Sequence, residues 1–442
     1  MPVKYITVTA QTNLFVPATR SFGDIAIVGA TAGSATKKVA VPITNPYAVS
    51  TSAQTLILSA DTAAAGDTLT FNSVPASIIV GMPVTDVTTA GAIATGVTVA
   101  ATTDKTVTLS AKVAALVARG DAIQFTNANN GKPATDAGWF QGKLGDSILT
   151  AFSQSPGPSK IWAIPVEDTE QGVEDGLLVA AKLPVQIVVL ADTPLTSAAG
   201  KSAVEALAQH CNNVSNNGPD GMERIGVAML GSGETSTALV SSGMASNRMV
   251  MVAHHASDDA AAAVAGAIAG QEPHISMLLK PINVDMDTTF SDSEIDAFNT
   301  AGINWLTQTP LIPGAGFYLG EGYTLGRDQR YIDIVRTIDE ISFDLKAALI
   351  SSIGVLRVTR AGLRALAAEM SAVLQPLQDS GVIDSYLVFF PLLSLLDKDP
   401  SKLADVELQQ IHNAQASRTV NSIATVEYAG AIHRLNITLK FE

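Results

Sequence analysis

The chain has 442 residues, enough for two or three domains and a sizeable buried core. Acidic residues outnumber basic ones by 41 to 27, a formal charge of −14, so the field of the whole chain repels nucleic acid and anionic lipid and argues against direct binding to DNA or membranes. A single cysteine, Cys211, excludes an intrachain disulfide framework and reads as a small buried apolar residue in a reducing compartment.

The amino-terminal segment MPVKYITVTAQTNLF has no basic region followed by a continuous apolar run. No later stretch reaches the ~18–20 apolar residues that span a bilayer. The most apolar one, Ala260 to Gly270, is too short and follows Asp258 and Asp259. A soluble cytosolic product without membrane insertion is expected.

In chain order, FGDIAIVGATAG reads as a buried strand, with Gly29 and Gly33 opening the following turn. From about Ser50 to Asn129 the chain becomes rich in Thr, Val and Ala, with short alternating segments (TLILSA, TLTFNSV, GVTVAA, TVTLSA, AIQFTN) between Gly/Asp turns, which predicts an all-β module. Between about Asn130 and Pro310, the strand-like runs IWAIPV, VQIVVL, IGVAML and RMVMVA alternate with helical stretches at Gly200–His210 and Asp258–Gly270. That alternation predicts a layered α/β sheet.

Over Tyr331–Ile353 the apolar residues Ile334, Ile338, Ile341, Leu345 and Leu349 recur at helical spacing, with Asp333, Arg336, Asp339, Glu340, Asp344 and Lys346 between them. The pattern predicts a long amphipathic helix whose charges form a solvated face. A second helix begins near Thr359 as N-cap, buries Leu363, Leu366, Met370, Val373 and Leu377, and stops before Gly381; the strand VIDSYLVFF follows.

Both ends favour strands. Leu435, Ile437, Leu439 and Phe441 alternate with Arg434, Asn436, Thr438 and Lys440, and the segment carrying Tyr5, Ile6 and Val8 is β-prone. Such ends either join a sheet of their own chain or pair with another copy.

Four groupings were weighed for chemistry. GSGETS at Gly231–Ser236 lacks the GK[ST] ending of a phosphate loop and reads as a strand-to-helix turn. His254 and His255 beside Asp258 and Asp259 lack the spacing of a metal site, because adjacent histidines point in different directions. His210 and Cys211 do not face one another on a helix, and no other catalytic or cofactor motif is present. Arg119–Asp121, an RGD, reads as a β-turn rather than a receptor ligand.

The carboxyl-terminal third resembles the contractile phage tail sheath family, which includes R-type pyocin and phage-like injection-system sheaths. The resemblance rests on Ala301–Asn304 for the family's aGiN element, Arg327–Asp328 for its Arg/Asp segment, and Tyr331, Ile332 and Arg336 for YI-x-x-x-R leading a long helix. Weaker matches fall in family order at FGDIAIVGATAG, GKLGDSILTAFSQ to SKIWAIPV, and VAGAIAGQEPHISMLLKPI. The module at 51–129 interrupts them and resembles the small decorating domains inserted in other sheaths. SPGPS stands where many sheaths carry an NGG turn, and Trp305 where a smaller residue is common.

The resemblance implies a multidomain tail-sheath fold of α/β class with an α+β inner domain. Its parts are an amino-terminal arm over 1–20, a middle domain from 21–50 and 130–318, an outer β-module over 51–129, an inner domain over 319–417 and a carboxyl-terminal strand over 418–442. It implies that Tyr5, Ile6, Val8, Leu435, Ile437, Leu439 and Phe441 lie on arms that add strands to neighbouring copies. It also implies that a helix face with Asp333, Arg336, Asp339 and Glu340 meets the tail tube.

The expected partners are further copies in a helical polymer, the tail tube protein, and baseplate and tail terminator proteins. The expected location is a virion tail or injection particle assembled in the bacterial cytoplasm, with no enzymatic activity, cofactor or metal. Two other classes compete. A bound ligand would favour an α/β enzyme with a β-rich appendage, and polymers of only one length a non-contractile capsid-like protein.

Overall fold

The computed structural model describes residues 21–31, 35–46, 54–75, 78, 82–125, 128–129, 132–133, 140–309, 311–312, 316–326 and 331–433. Its class is mixed α/β, and it divides into two compact units at Val335 and Arg336.

The first unit is built on a nine-stranded sheet. Its parallel centre consists of β1 (Ile25–Ala30), β11 (Ile161–Val166), β12 (Ile187–Leu195), β13 (Ile225–Leu230), β14 (Met249–Ala253) and β16 (Asn304–Thr307). Antiparallel strands finish both sides: β2 (Val41–Ile43) beyond β11, then β17 (Phe317–Leu319) and β15 (Pro281–Ile282) beyond β16. The central strands read as continuous apolar runs because both faces are covered. Ile25 and Ile27 meet one layer of side chains, Ala26 and Val28 the other.

On the first face lie α1 (Lys143–Phe152) and α4 (Ala260–Gly270); on the second lie α2 (Glu170–Ala180), α3 (Ala198–Asn217) and α5 (Asp292–Ala301). Every residue of α4 from Ala260 to Ala269 is buried. Small side chains permit this, since a Cβ on Gly266 would come within 2.3 Å of the Ala151 carbonyl oxygen on α1. Asp259 caps α4 and is itself fully buried. Its carboxylate accepts from Ser147 Oγ at 2.6 Å, Asp192 N–H at 2.8 Å and Ala262 N–H at 2.9 Å. Those three bonds tie α1, β12 and the start of α4 together, and burial pushes the acid's pKa up.

The Ala301–Asn304 element has a physical explanation. Gly302 closes α5 in the left-handed region at φ 74°, Ile303 is buried, and Asn304 bridges two segments. Its amide donates to the carbonyls of Met251 and Tyr323, and its oxygen accepts from Tyr323 N–H at 2.6 Å. The larger Trp305 is accommodated because residue 320 is glycine: a Cβ there would sit 2.2 Å from the indole nitrogen.

The segment at 54–125 forms the expected all-β module around its own core. Strands β3 (Gln54–Ile57), β8 (Ala122–Phe125) and β5 (Val84–Asp86) make one small antiparallel sheet, and β4 (Thr68–Thr70), β7 (Thr106–Leu109) and β6 (Val99–Thr102) another. A two-residue hairpin, β9 (Ala128–Asn129) and β10 (Lys132–Pro133), follows.

The second unit takes up most of α6 (Ile332–Leu349), then α7 (Arg360–Asp379), β18 (Ile383–Phe389), α8 (Pro391–Leu396), α9 (Asp405–Ser417) and β19 (Ile423–Tyr428). Thr359 caps α7 as expected, its hydroxyl accepting from Gly362 N–H. The division falls at 335–336 because β17 belongs to the large sheet and Ile332 and Val335 to its core.

The charges in the first turns of α6 do not form the solvated face that periodicity predicts. Asp333, Arg336 and Asp339 are buried, Glu340 is half-buried and Ile338 is exposed; Lys346 near the helix end is exposed as expected. The helix buries Ile332 and Val335 at its start but packs Ile341 and Leu345 near its end. One apolar stripe therefore does not define its inner face throughout.

Candidate subunit-docking surface

The chain leaves α7 through Gly381, at φ 75°, and enters a two-stranded antiparallel sheet. The pairing runs from Ile383 opposite Tyr428 to Phe389 opposite Ile423, with a register irregularity between Ile383 and Ser385. Tyr386, Val388 and Val426 pack with Ile341, Leu345, Leu374 and Leu377. On the opposite face Leu387 (62%), Phe389 (43%) and Ile423 (52%) are exposed, and Ser385 Oγ donates to the Glu427 carboxylate.

Among the described residues neither outer edge of this sheet has a strand partner. A two-stranded sheet is marginal in water, and an open edge presents a row of N–H and C=O groups ready for another strand. This geometry can accept an added strand whose backbone supplies the bonds and whose alternate apolar residues fix register.

Beside the sheet, just ahead of β19, a cavity of about 390 Å³ is lined by Leu349, Leu363, Met370, Phe390 and Val420, with the exposed Arg357 and Arg418 also in its wall. Sequence reading missed this site, since its walls come from four separated segments and leave no local pattern. β19 lies within the 418–442 segment read as the carboxyl-terminal strand, and the alternation of Ile423, Thr425 and Glu427 with Ala424, Val426 and Tyr428 carries its signal.

The arm residues Tyr5, Ile6, Val8, Leu435, Ile437, Leu439 and Phe441 lie outside the described residues, as do Arg327 and Asp328. Asp333, Arg336, Asp339 and Glu340 lie together in the first turns of α6, all but Glu340 buried.

The groupings weighed for chemistry have structural duties. In GSGETS the Glu234 carboxylate accepts from the Thr235 and Ser236 amides, and the chain runs into a three-residue 3₁₀ turn rather than a helix. His254 is buried with Nε2 3.1 Å from the Leu230 carbonyl, while His255 stacks against Phe290 at 4.3 Å. Burial pushes the Cys211 thiol up to about 12, and burial with the nearby Arg224 guanidinium holds His210 down to about 4, which does not suit a thiolate–imidazolium pair. In the RGD turn Asp121 is buried and accepts from Ala118 N–H, with Gly120 at φ 94°.

No protein-family profile matches the chain, and no curated protein matches it in sequence. In structure, the helical sheath of the anti-feeding prophage in its contracted state superposes on 100% of this chain and 98% of its own, with TM-score 0.54 at 13% identity. The chain has the contractile-sheath fold. At this identity the likeness is one of fold. The contracted PVC sheath of an extracellular contractile injection system aligns with 68% of this chain and 81% of its own at TM-score 0.49 and 13% identity. The sheath tail protein of Listeria innocua aligns with 93% and 96% at TM-score 0.49 and 12% identity.

Proposed function

We propose that the chain is the structural subunit of a contractile tail sheath, polymerising as a helix around a tail tube and shortening to drive that tube through a target envelope. The observation that carries this reading is the two-stranded sheet of the second unit, whose outer edges have no strand partner among the described residues, in a chain whose fold resembles that of a sheath subunit. A strand donated by a neighbour completes such a sheet through main-chain bonds, and donation from copy to copy is a head-to-tail contact that yields an open helix. The segments with Tyr5, Ile6 and Val8, and with Leu435, Ile437, Leu439 and Phe441, supply the donors.

Contraction is then passage from a metastable packing to a more stable one, with the donated strands holding copies together and no nucleotide consumed. The tail tube, baseplate and tail terminator are the other partners, and the particle is a virion tail or injection device assembled in the bacterial cytoplasm. Of Asp333, Arg336, Asp339 and Glu340, the residues expected near the tube, Glu340 is the most accessible. Negative-stain electron microscopy of the purified chain tests the reading: hollow helical tubes support it, and uniform small particles at high concentration overturn it.

A further inference from the structure

The molecule's charge is unevenly shared. Residues 22–335 hold 29 acidic and 15 basic side chains, whereas the remainder of the chain is balanced at 12 of each. The first unit of another copy therefore carries the excess of acidic groups that an exposed cationic group in the second unit can pair with. Arg357 and Arg418 are such groups: both are exposed, both line the apolar cavity, and neither has an ion-pair partner among the described residues.

The matching surface lies on α2. Glu170, Glu174 and Leu178 are all exposed and follow one another at four-residue spacing, so they form one stripe along the helix. Leu178 is 65% exposed, an isolated apolar knob on a helix whose opposite side, Leu177 and Ala180, is buried against the large sheet. Neighbouring carboxylates are neutralised locally: Lys37 pairs with Glu167, Lys38 with Asp175 and Lys143 with Asp168. Glu170 and Glu174 have no ion-pair partner among the described residues. Two unneutralised carboxylates leading to an exposed leucine are thus the complement of an apolar cavity with two unneutralised guanidiniums.

We propose that the α2 stripe of one copy docks in the Arg357/Arg418 cavity of a second copy, with Leu178 entering the apolar hollow and Glu170 and Glu174 pairing with the arginines. The contact joins different surfaces of identical chains, so it propagates rather than closing a dimer. It deepens the polymer reading without depending on strand donation.

The test is a double cysteine variant, Leu178→Cys with Ile353→Cys at the exposed cavity lip, treated with a short thiol cross-linker; the buried Cys211 stays silent. A ladder of cross-linked multimers, absent in either single variant, is expected. A cross-link that closes within one chain, or no cross-link, overturns the proposal. Microscopy of the same samples keeps the two readings apart, because tubes without a ladder remove this contact and leave the sheath reading standing, while a ladder without tubes does the reverse. Charge reversal adds a second measure: Arg357→Glu with Arg418→Glu raises the concentration needed for assembly about tenfold, and adding Glu170→Arg with Glu174→Arg in the same chain restores it. Failure of the restoration overturns the pairing.

Discussion

The two units treat the edges of their sheets in opposite ways. The nine-stranded sheet ends on one side in β15, with two residues, and on the other in β2, with three, so little ladder is left for another chain to use. The carboxyl-terminal sheet consists of β18 and β19, seven and six residues long, with no cover on either edge among the described residues and with Leu387, Phe389 and Ile423 exposed on one face. Under the proposed strand donation the first sheet is complete among the described residues and the second receives a further strand, so damage to the first is expected to appear as lost stability and damage to the second as lost assembly.

The largest effect expected is on assembly. Deleting Leu435–Glu442 removes the segment proposed as a donor, so ordered polymers are expected to disappear under the electron microscope while the subunit stays soluble; normal tubes from the truncated chain would remove the strand-donation mechanism. In the closed sheet, Asn304→Ala leaves the Met251 and Tyr323 backbone groups without their buried partner, a loss of roughly 3–5 kcal/mol from unpaired polar groups that urea unfolding measures.

Next in size is a pH effect. His210 is held neutral in the folded protein down to about 4, whereas an unfolded chain protonates it near its ordinary value of 6.5. The unfolded state therefore binds more protons between those values, and stability falls by about 2–3 kcal/mol as pH drops through that window and levels off below it. Unfolding at several pH values should show a shallower slope for His210→Gln, which keeps an acceptor near Arg224 but does not titrate. The smallest change in subunit stability comes at the open sheet: Leu387→Lys places a charge on an already exposed face and shifts the monomer's unfolding by less than about 0.5 kcal/mol. The same substitution should suppress polymer formation, because a lysine there obstructs a neighbouring chain. A destabilised monomer with normal assembly would reverse the comparison.

The closed sheet was also the legible one. IWAIPV, VQIVVL, IGVAML and RMVMVA correspond to β11–β14, because strands buried on both faces write their environment into consecutive residues; of the helical stretches, Gly200–His210 falls within α3 and Asp258–Gly270 starts two residues ahead of α4. The long helix over 332–349 was equally visible, but its inner face was not. Asp333, Arg336 and Asp339 are buried by tertiary surroundings that a 3.6-residue period cannot encode. The docking surface was legible only as strand-prone ends and a VIDSYLVFF strand. The cavity with Arg357 and Arg418, and the α2 stripe that fits it, depend on residues far apart in the chain and on which charges are already paired, and neither property leaves a local trace.

The alanine helix α4 has a consequence for how this protein tolerates change. Val264 and Ile268 interlock with the core, but the alanines and Gly266 between them bring the backbone close to its neighbours, and alanine loses no rotamer freedom when it is enclosed. An amphipathic helix accepts substitutions rhythmically, on the side facing water. Here every direction around the axis is occupied, so permitted substitutions along 260–269 lose their helical beat: no position has a solvent side on which to grow, and at Gly266 even a methyl meets the Ala151 carbonyl.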